Sequence, residues 1–244
     1  MHYKFGFALS IFLFSTIVQS MECVILLHGL ARTANSMHRI ERILTREGYY
    51  VVNVNYPSRK YAIETLAPMA VNSGLERCQQ QNTKLVNYVT HSLGGILVRY
   101  YYQHQTIMPN RVVMLGPPNQ GSELVDKLRN FRGYVLLNGP AGLQLGTGND
   151  SFLTTLDPVN FKLGVIAGNQ SINLFLSTLL SHPNDGKVSV ESTKVAGMCS
   201  FVSLPTTHPF MMGNTAVIQQ TVHFLKYGEF DHMNAVNNLC KHSL

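Results

Sequence analysis

The chain lacks the features that mark a disordered, repetitive or multidomain protein. No linker rich in proline, glycine or serine divides its 244 residues, and no repeat of fixed period is present. Only 13% of the residues are charged and 45% are hydrophobic, so the chain can bury a substantial core. We expect a single domain over residues 21–244, preceded by an N-terminal leader.

A tight basic stripe, the usual footprint of a nucleic-acid-binding protein, is also missing. The formal net charge is only +6, and the basic residues are scattered. The nearest cluster is interleaved with glutamates and is typical of the solvated face of one helix (Arg32, Arg39, Arg42 and Arg46 with Glu41 and Glu47). We therefore expect no nucleic-acid partner, a weak attraction to anionic membrane surfaces at most, and a monomer.

Residues 1–20 differ in composition from the rest of the chain. Lys4 is the only charged residue among them, and residues 5–18 are almost entirely apolar. A charged start, a short apolar run and small residues before a cut predict a secretory signal peptide, and hence a periplasmic or secreted protein. An uncleaved membrane anchor is the alternative, although the run is shorter than the roughly 20 residues of a spanning helix.

Short apolar runs alternate with segments of helical pattern along the mature chain. Strands are predicted at residues 22–28, 49–54, 85–90, 111–115, 162–167 and 197–204. Helices are predicted at residues 35–46, 64–81, 93–104, 123–129 and 215–226. Pro68 and Gly74 predict either a kink in the second of these or its division into two shorter helices. The alternation indicates right-handed crossovers, and hence an α/β fold whose mainly parallel sheet is flanked by helices on both faces.

The four cysteines have no metal-binding spacing, because no C-x-x-C and no paired Cys/His tract is present. An even number in an exported chain predicts two disulfides, with four buried free thiols as the alternative. Cys23 opens the first strand and Cys78 ends a helix leading into a neighbouring strand, so we expect these two to pair. Cys199 with Cys240 then follows by elimination.

Residues 89–95, V-T-H-S-L-G-G, place Ser92 at a turn that leads directly from a buried strand into a helix. Such a turn strains the serine backbone and presents its hydroxyl at the top of the sheet, beside the positive end of the helix dipole. The motif G-x-S-x-G is changed here to T-x-S-x-G, with Thr90 in the first glycine position. An ordinary helix N-cap is the alternative interpretation of Ser92.

Candidate partners for Ser92 follow in the order acid and then histidine, as in hydrolases with a strand–serine–helix turn. Asp185 lies in a loop after the fifth strand, and His208 lies in the loop directly after the sixth. Asp157 is the rival acid but precedes the fifth strand, and His182 is the rival histidine because it is close to Asp185. Chain order favours Asp185 and His208.

Five segments together resemble the bacterial lipase/esterase branch of the α/β-hydrolases, described as LipA-like or triacylglycerol-lipase-like. They are V-I-L-L-H-G-L, T-H-S-L-G-G, L-G-P-P-N-Q-G-S-E-L, N-D-G-K-V-S-V-E-S and H-P-F-M-M, which span residues 24–212. The resemblance implies an oxyanion hole made by the backbone N–H groups of Leu30 and Leu93, with His28 ordering the loop. The P-x-x-x-G-S element at residues 117–122 also resembles one that lies beside the serine helix in these lipases; the alternative is a plain loop in which Ser122 caps the next helix.

The resemblance implies a serine-dependent ester hydrolase that acts on an ester or lipid substrate through an acyl-enzyme, with the triad Ser92, Asp185 and His208. It implies no metal and no organic cofactor. An acyltransferase or a thioesterase using the same triad is the alternative. A non-enzymatic binding module on this fold would be expected to lack a triad member, and all three are present.

The segment between the fourth and fifth strands is rich in glycine and proline, and residues 133–150 are predicted to be irregular. We therefore expect no long lid helix, and we expect an open acyl groove with minimal or no lid. A mobile lid built from this loop, with glycine hinges, is the alternative. Candidates for the apolar wall are Leu136, Leu137, Leu143, Leu145, Phe152 and Leu153.

Overall fold

The computed structural model describes residues 21–149, 151–172 and 177–231, together with the backbone of residues 235–238. The predicted signal peptide, residues 1–20, lies outside the described residues. No helix in the described part of the chain combines the length and the apolar composition needed to cross a membrane.

Seven strands form one sheet. They are β1 (Cys23–Leu27), β2 (Tyr50–Val54), β3 (Val86–His91), β4 (Arg111–Leu115), β5 (Leu163–Gly168), β6 (Ser200–Leu204) and β7 (Ala235–Asn238). Their order across the sheet is β2-β1-β3-β4-β5-β6-β7. The first six are parallel, and β7 pairs with β6 in the antiparallel sense. The mainly parallel sheet is confirmed; the antiparallel edge strand was not predicted.

Helices cover both faces of the sheet. The α-helices with described bounds are α1 (His38–Arg46), α2 (Ile63–Gln79), α3 (Leu93–Tyr102), α4 (Glu123–Leu128), α5 (Arg132–Leu143) and α6 (Thr215–Tyr227). Alternate residues of β1 belong to two separate cores, since side chains of a strand point to opposite faces. Ile25 packs with apolar residues of α2 and α3, whereas Leu26 packs with those of α1 and α6.

The second predicted helix is not divided into two shorter helices, because α2 is a single helix that contains Pro68. Gly74 serves packing instead: a Cβ atom on Gly74 would lie only 2.7 Å from Cγ2 of Ile25 in β1. Its missing side chain lets α2 approach the sheet closely, which is a role that glycine also has inside helices.

The prediction of an irregular segment over residues 133–150 is also wrong, since α5 occupies Arg132–Leu143. The glycine and proline residues interrupt α5 at one point only. The backbone leaves the helical region at Gly139, where φ is 64°, and the helix resumes at Pro140. With α4 and α5 six and twelve residues long, the described residues between β4 and β5 form no long lid helix, as predicted.

The predicted disulfide between Cys23 and Cys78 is confirmed, and its Cα atoms lie 5.8 Å apart. It joins the start of β1 to the end of α2, at the edge of the sheet that carries the amino ends of the parallel strands. Cys199 is also disulfide-bonded. Cys240 lies outside the described residues, so the pair Cys199–Cys240 stays a prediction.

Candidate active site

Ser92 occupies the turn between β3 and α3. Its backbone has φ 52° and ψ −120°, a region that non-glycine residues rarely adopt and that stores strain. The turn is fixed on both sides, since Ser92 N–H donates to the carbonyl of Leu115 at 2.9 Å and the Ser92 carbonyl accepts from Gly95 N–H at 3.0 Å. This geometry differs from an ordinary N-cap, which has extended φ and ψ and a side-chain bond that Ser92 does not make here.

Gly94 allows the start of α3 to pass close to the end of β1. A Cβ atom on Gly94 would lie 2.6 Å from the backbone oxygen of Leu27. Thr90, which replaces the first glycine of the motif, is buried in β3, and its hydroxyl has no hydrogen-bond partner. The departure at Thr90 therefore does not prevent close packing of strand and helix.

Asp185 and His208 meet beyond the carboxyl ends of β5 and β6, as predicted. Oδ2 of Asp185 accepts a hydrogen bond from Nδ1–H of His208 at 2.7 Å. Oδ1 of Asp185 accepts from the backbone N–H groups of Lys187 and Val188, at 2.9 and 2.8 Å. Both side chains are buried. A carboxylate held this way fixes one tautomer of the imidazole, with Nε2 left unprotonated.

Gly116, at the end of β4, makes room for this pair. Its φ is +54°, and a Cβ atom there would lie 3.0 Å from Oδ2 of Asp185 and 3.2 Å from Nδ1 of His208. Gly116 was not among the predicted site residues. Its signal was present, since a glycine directly after a buried strand often marks a close backbone approach.

His91, beside Ser92, contacts His208 in a way that the sequence did not indicate. Nε2–H of His91 donates to the backbone oxygen of His208 at 3.0 Å, and the two ring centroids are 4.7 Å apart. Burial holds the pKa of His91 well below its usual value, and the nearby His208 lowers it further. His91 is therefore neutral near pH 7 and supports the position of His208 without adding charge.

The H-G-L loop after β1 lies against Ser92. A Cβ atom on Gly29 would lie 3.2 Å from Cβ of Ser92 and 2.7 Å from Nδ1 of His91, so the backbone of Leu30 follows a residue in close contact with the turn. Leu93 is the first residue of α3, whose leading N–H groups have no partner within the helix. Both predicted oxyanion donors are thus on segments that adjoin Ser92.

His28 orders this loop, in agreement with its predicted role. Its ring stacks on Tyr56 with centroids 4.1 Å apart, and its Nδ1–H donates to the Gly29 carbonyl at 2.9 Å. Nε2 of His28 accepts from Tyr56 N–H, and the Tyr56 hydroxyl donates to the His28 carbonyl. Burial lowers the pKa of His28, which keeps the ring neutral and these roles fixed.

Ser122 does not cap α4. No side-chain cap bond is formed there, and the Ser122 hydroxyl instead donates to the carbonyl of Lys187 at 2.6 Å. Arg99 of α3 is buried and donates to the carbonyl of Asn119 at 3.0 Å, and burial lowers the pKa of Arg99 to about 10. The loop after β4 is thus tied both to the serine helix and to the loop that carries Asp185.

One cavity of about 420 Å³ contains both Ser92 and His208. Its walls also include Leu30 and a set of apolar side chains from α4, α5 and the residues around them (Leu124, Val125, Leu128, Tyr134, Leu137 and Leu145). A concave, mainly apolar site with a few polar groups is the usual form of a small-molecule site.

Four of the six residues predicted as an apolar wall lie elsewhere. Leu137 and Leu145 line the cavity. Leu136 is exposed and Leu153 is buried, whereas Leu143 and Phe152 line a separate cavity.

The rival acid and histidine are not part of this arrangement. Asp157 is exposed, and its backbone oxygen accepts a hydrogen bond from Arg99. His182 is exposed and contacts the side chain of Asn184 at 3.2 Å. Within residues 21–149, 151–172 and 177–231, no group of three or more His, Cys, Asp or Glu side chains is placed to hold a metal ion.

Comparison with solved structures establishes the fold. The mature form of the lipase BlEst2 from Bacillus licheniformis matches with a TM-score of 0.66 and 19% identity, over 88% of this chain and 94% of the other. The metagenomic carboxyl esterase MGS0156 matches with a TM-score of 0.63 and 16% identity, over 79% and 66%. Phospholipase PlaB from Legionella pneumophila matches with a TM-score of 0.60 and 18% identity over 77% of this chain, which spans about half (53%) of PlaB.

No protein-family model matches the sequence, and no curated protein matches it. The predicted α/β-hydrolase fold is confirmed by the structural matches, which include bacterial lipases and esterases.

Proposed function

We propose that the chain is a serine-dependent carboxylic ester hydrolase of the lipase/esterase type, with Ser92 as nucleophile, His208 as general base and Asp185 as the acid that orients His208. The observation that carries this proposal is the buried hydrogen bond between Asp185 and His208, formed beside a strained Ser92 in one cavity. Neighbours of the same fold named as lipase, phospholipase and carboxyl esterase support ester hydrolysis as the reaction.

The proposed reaction has two steps. Nε2 of His208 takes the proton of the Ser92 hydroxyl as Oγ attacks the ester carbonyl carbon, and the same proton is then given to the departing alcohol. Water, activated by His208 in turn, attacks the acyl-Ser92 ester and releases the carboxylic acid. Asp185 stabilises the imidazolium that forms in both steps, and its two backbone donors keep the carboxylate in place.

The proposed oxyanion hole consists of the backbone N–H groups of Leu30 and Leu93. Negative charge develops on the carbonyl oxygen in the tetrahedral state, so donors fixed beforehand lower the barrier without reorganising. Support comes from the contact of Gly29 with Ser92 and from the helix start at Leu93, where the dipole favours an anion.

We also propose that the protein is exported after removal of residues 1–20. The buried disulfide between Cys23 and Cys78 supports this proposal, because such bonds persist mainly in oxidising compartments.

The proposed function is tested with p-nitrophenyl esters of increasing chain length, on the wild type, Ser92→Ala, His208→Ala and the double variant. We expect each single variant to lose several orders of magnitude in kcat and the double variant to be scarcely worse, because the two residues act as a unit. Product analysis with an added alcohol or thiol acceptor separates hydrolysis from acyl transfer. Additive losses, or acyl transfer to the acceptor in place of hydrolysis, would contradict the proposal.

A further inference from the structure

Three positively charged side chains line the cavity that holds Ser92: Arg32, Arg59 and Lys187. No Asp or Glu is among the residues that line it. In the described part of the chain, none of these three side chains forms an ion pair. The cavity wall beside the proposed nucleophile therefore carries three cationic side chains and no acidic one.

Arg32 and Arg59 are brought together by a contact between the loops after β1 and β2. Ala31 N–H donates to the hydroxyl of Ser58 at 3.1 Å. Arg32 follows Ala31 and Arg59 follows Ser58, so the two arginines lie on adjoining loops. The backbone on both sides is restrained. Arg32 N–H donates to the Gly29 carbonyl, and a Cβ atom on Gly139 would overlap the Arg59 carbonyl oxygen, at 2.0 Å.

Lys187 stands on the loop that holds Asp185. Its N–H donates to Asp185 and its carbonyl accepts from Ser122, so the backbone from which the side chain extends is fixed on both sides. Desolvation by the surrounding protein lowers the pKa of Lys187, the positive charge of Arg32 lowers it further, and the carboxylate of Asp185 raises it. The net shift is downward, so an anion bound beside Lys187 would stabilise its charged form.

The carboxylate of Asp185 acts on the charge of Lys187, but the net shift of the Lys187 pKa is still downward. The Asp185 carboxylate is buried and already accepts hydrogen bonds from His208 and from two backbone N–H groups. The apolar side chains from α4 and α5, named above, line the same cavity. An acyl chain fits against these side chains by burying apolar surface, whereas a negative charge among them would lose its hydration without a partner.

We propose that the preferred substrate is an ester whose acyl chain lies along the apolar wall and whose alcohol carries a phosphate group bound by Arg32, Arg59 and Lys187. This inference rests on the proposed ester hydrolysis and adds the substrate class. Guanidinium groups bind phosphate through paired hydrogen bonds, and lysine adds a point charge. The phosphate is not cleaved: the acyl–oxygen bond breaks, the released alcohol takes the proton from His208, and water supplies the hydroxyl of the released fatty acid.

The test compares 1-octanoylglycerol 3-phosphate with 1-octanoylglycerol, both below their micelle-forming concentrations, by octanoate release. The wild type is expected to show a kcat/KM about tenfold or more higher for the phosphate ester, given the strength of hydrogen bonds between charged groups. Arg32→Gln, Arg59→Gln and Lys187→Gln are each expected to lower this ratio about threefold to tenfold. The matched control is Lys84→Gln, an exposed residue just before β3 at the opposite edge of the sheet, which should leave the ratio unchanged.

Binding of octyl phosphate to Ser92→Ala, followed by calorimetry, tests the anion site without turnover. Binding that weakens in Ser92→Ala/Arg32→Gln supports the inference, and absence of binding overturns it. A wild type that hydrolyses both esters equally well, or a ratio that the three variants leave unchanged, also overturns it while the proposed function stands. Hydrolysis by Ser92→Ala at the wild-type rate overturns the proposed function instead. If an octanoyl ester of a carboxylate-bearing alcohol is preferred over the phosphate ester, the proposed phosphate specificity is wrong.

Discussion

Nδ1 of His208 lies 2.7 Å from Oδ2 of Asp185, and the two residues come from different loops, after β6 and β5. A backbone hydrogen bond from His208 N–H to the Asp185 carbonyl, at 2.9 Å, joins the same two residues. The two loops are thus fixed to each other at the residues that the proposed mechanism needs.

Replacing Asp185 with asparagine should lower kcat about 10⁴-fold, because an amide favours the wrong imidazole tautomer and cannot stabilise the imidazolium. Asp157→Asn is the matched control, since Asp157 is exposed and contacts Arg99 only through its backbone oxygen. Steady-state kinetics on a soluble p-nitrophenyl ester checks both. If Asp157→Asn proves the more damaging, the assignment of the acid is wrong.

Gly29→Ala should lower kcat/KM about a hundredfold, the usual loss for one oxyanion donor. The new Cβ would lie 2.7 Å from Nδ1 of His91 and 3.2 Å from Cβ of Ser92, so the loop that carries the Leu30 N–H must shift. Gly133→Ala in α5 is the control, because apart from the adjacent residues and the backbone of its own helix no atom lies within 4 Å of its Cβ position. If Gly29→Ala kept the same kcat/KM as Gly133→Ala, the loop that carries Leu30 would have no oxyanion role.

Removing the disulfide with Cys23→Ala/Cys78→Ala should lower the free energy of unfolding by about 2–4 kcal/mol, as the bond closes a loop with a sequence separation of 55. Activity of the folded variant at 25 °C should be unchanged, because the bond lies at the amino ends of the strands. Urea unfolding gives the first quantity and ester hydrolysis the second. A strong loss of activity without loss of stability would contradict this separation.

Stability should fall as the pH drops below about 6.5, the ordinary pKa of histidine. Burial lowers the pKa of His91 and of His28 in the folded protein, so the unfolded chain binds more protons between the folded and the unfolded pKa values. Each histidine contributes a slope of at most about 1.4 kcal/mol per pH unit. Urea unfolding from pH 7.5 to 5 should give a shallower slope for His91→Gln than for the wild type; an unchanged slope would exclude His91 as a contributor.

Local sequence patterns were sufficient to predict those parts of the site that depend on one segment. The turn at Ser92 follows from a strand, a serine and a helix in direct succession, and chain order then indicated Asp185 and His208. Contacts between distant segments could not be predicted in this way. His91 and His208 are 117 residues apart, and their hydrogen bond depends on how β3 faces the loop after β6.

The errors in the fold have a similar origin. Pro68 and Gly74 have low intrinsic helix propensity, but packing of α2 against β1 outweighs it. In α5, the glycine and proline residues interrupt the helix only at Gly139, where the chain passes over the backbone of Arg59. Whether a glycine ends a helix or allows a close contact depends on the neighbouring segment, which local sequence does not specify.

Covalent labelling with a fluorophosphonate ester tests whether Ser92 is the nucleophile of an acyl-transfer reaction. We expect one adduct per molecule in the intact mass, located by peptide analysis at Ser92, with loss of ester hydrolysis in proportion to labelling. Ser92→Ala should take up no label. A label on another residue that abolishes activity, or full hydrolytic activity in a protein labelled at Ser92, would show that Ser92 is not the nucleophile.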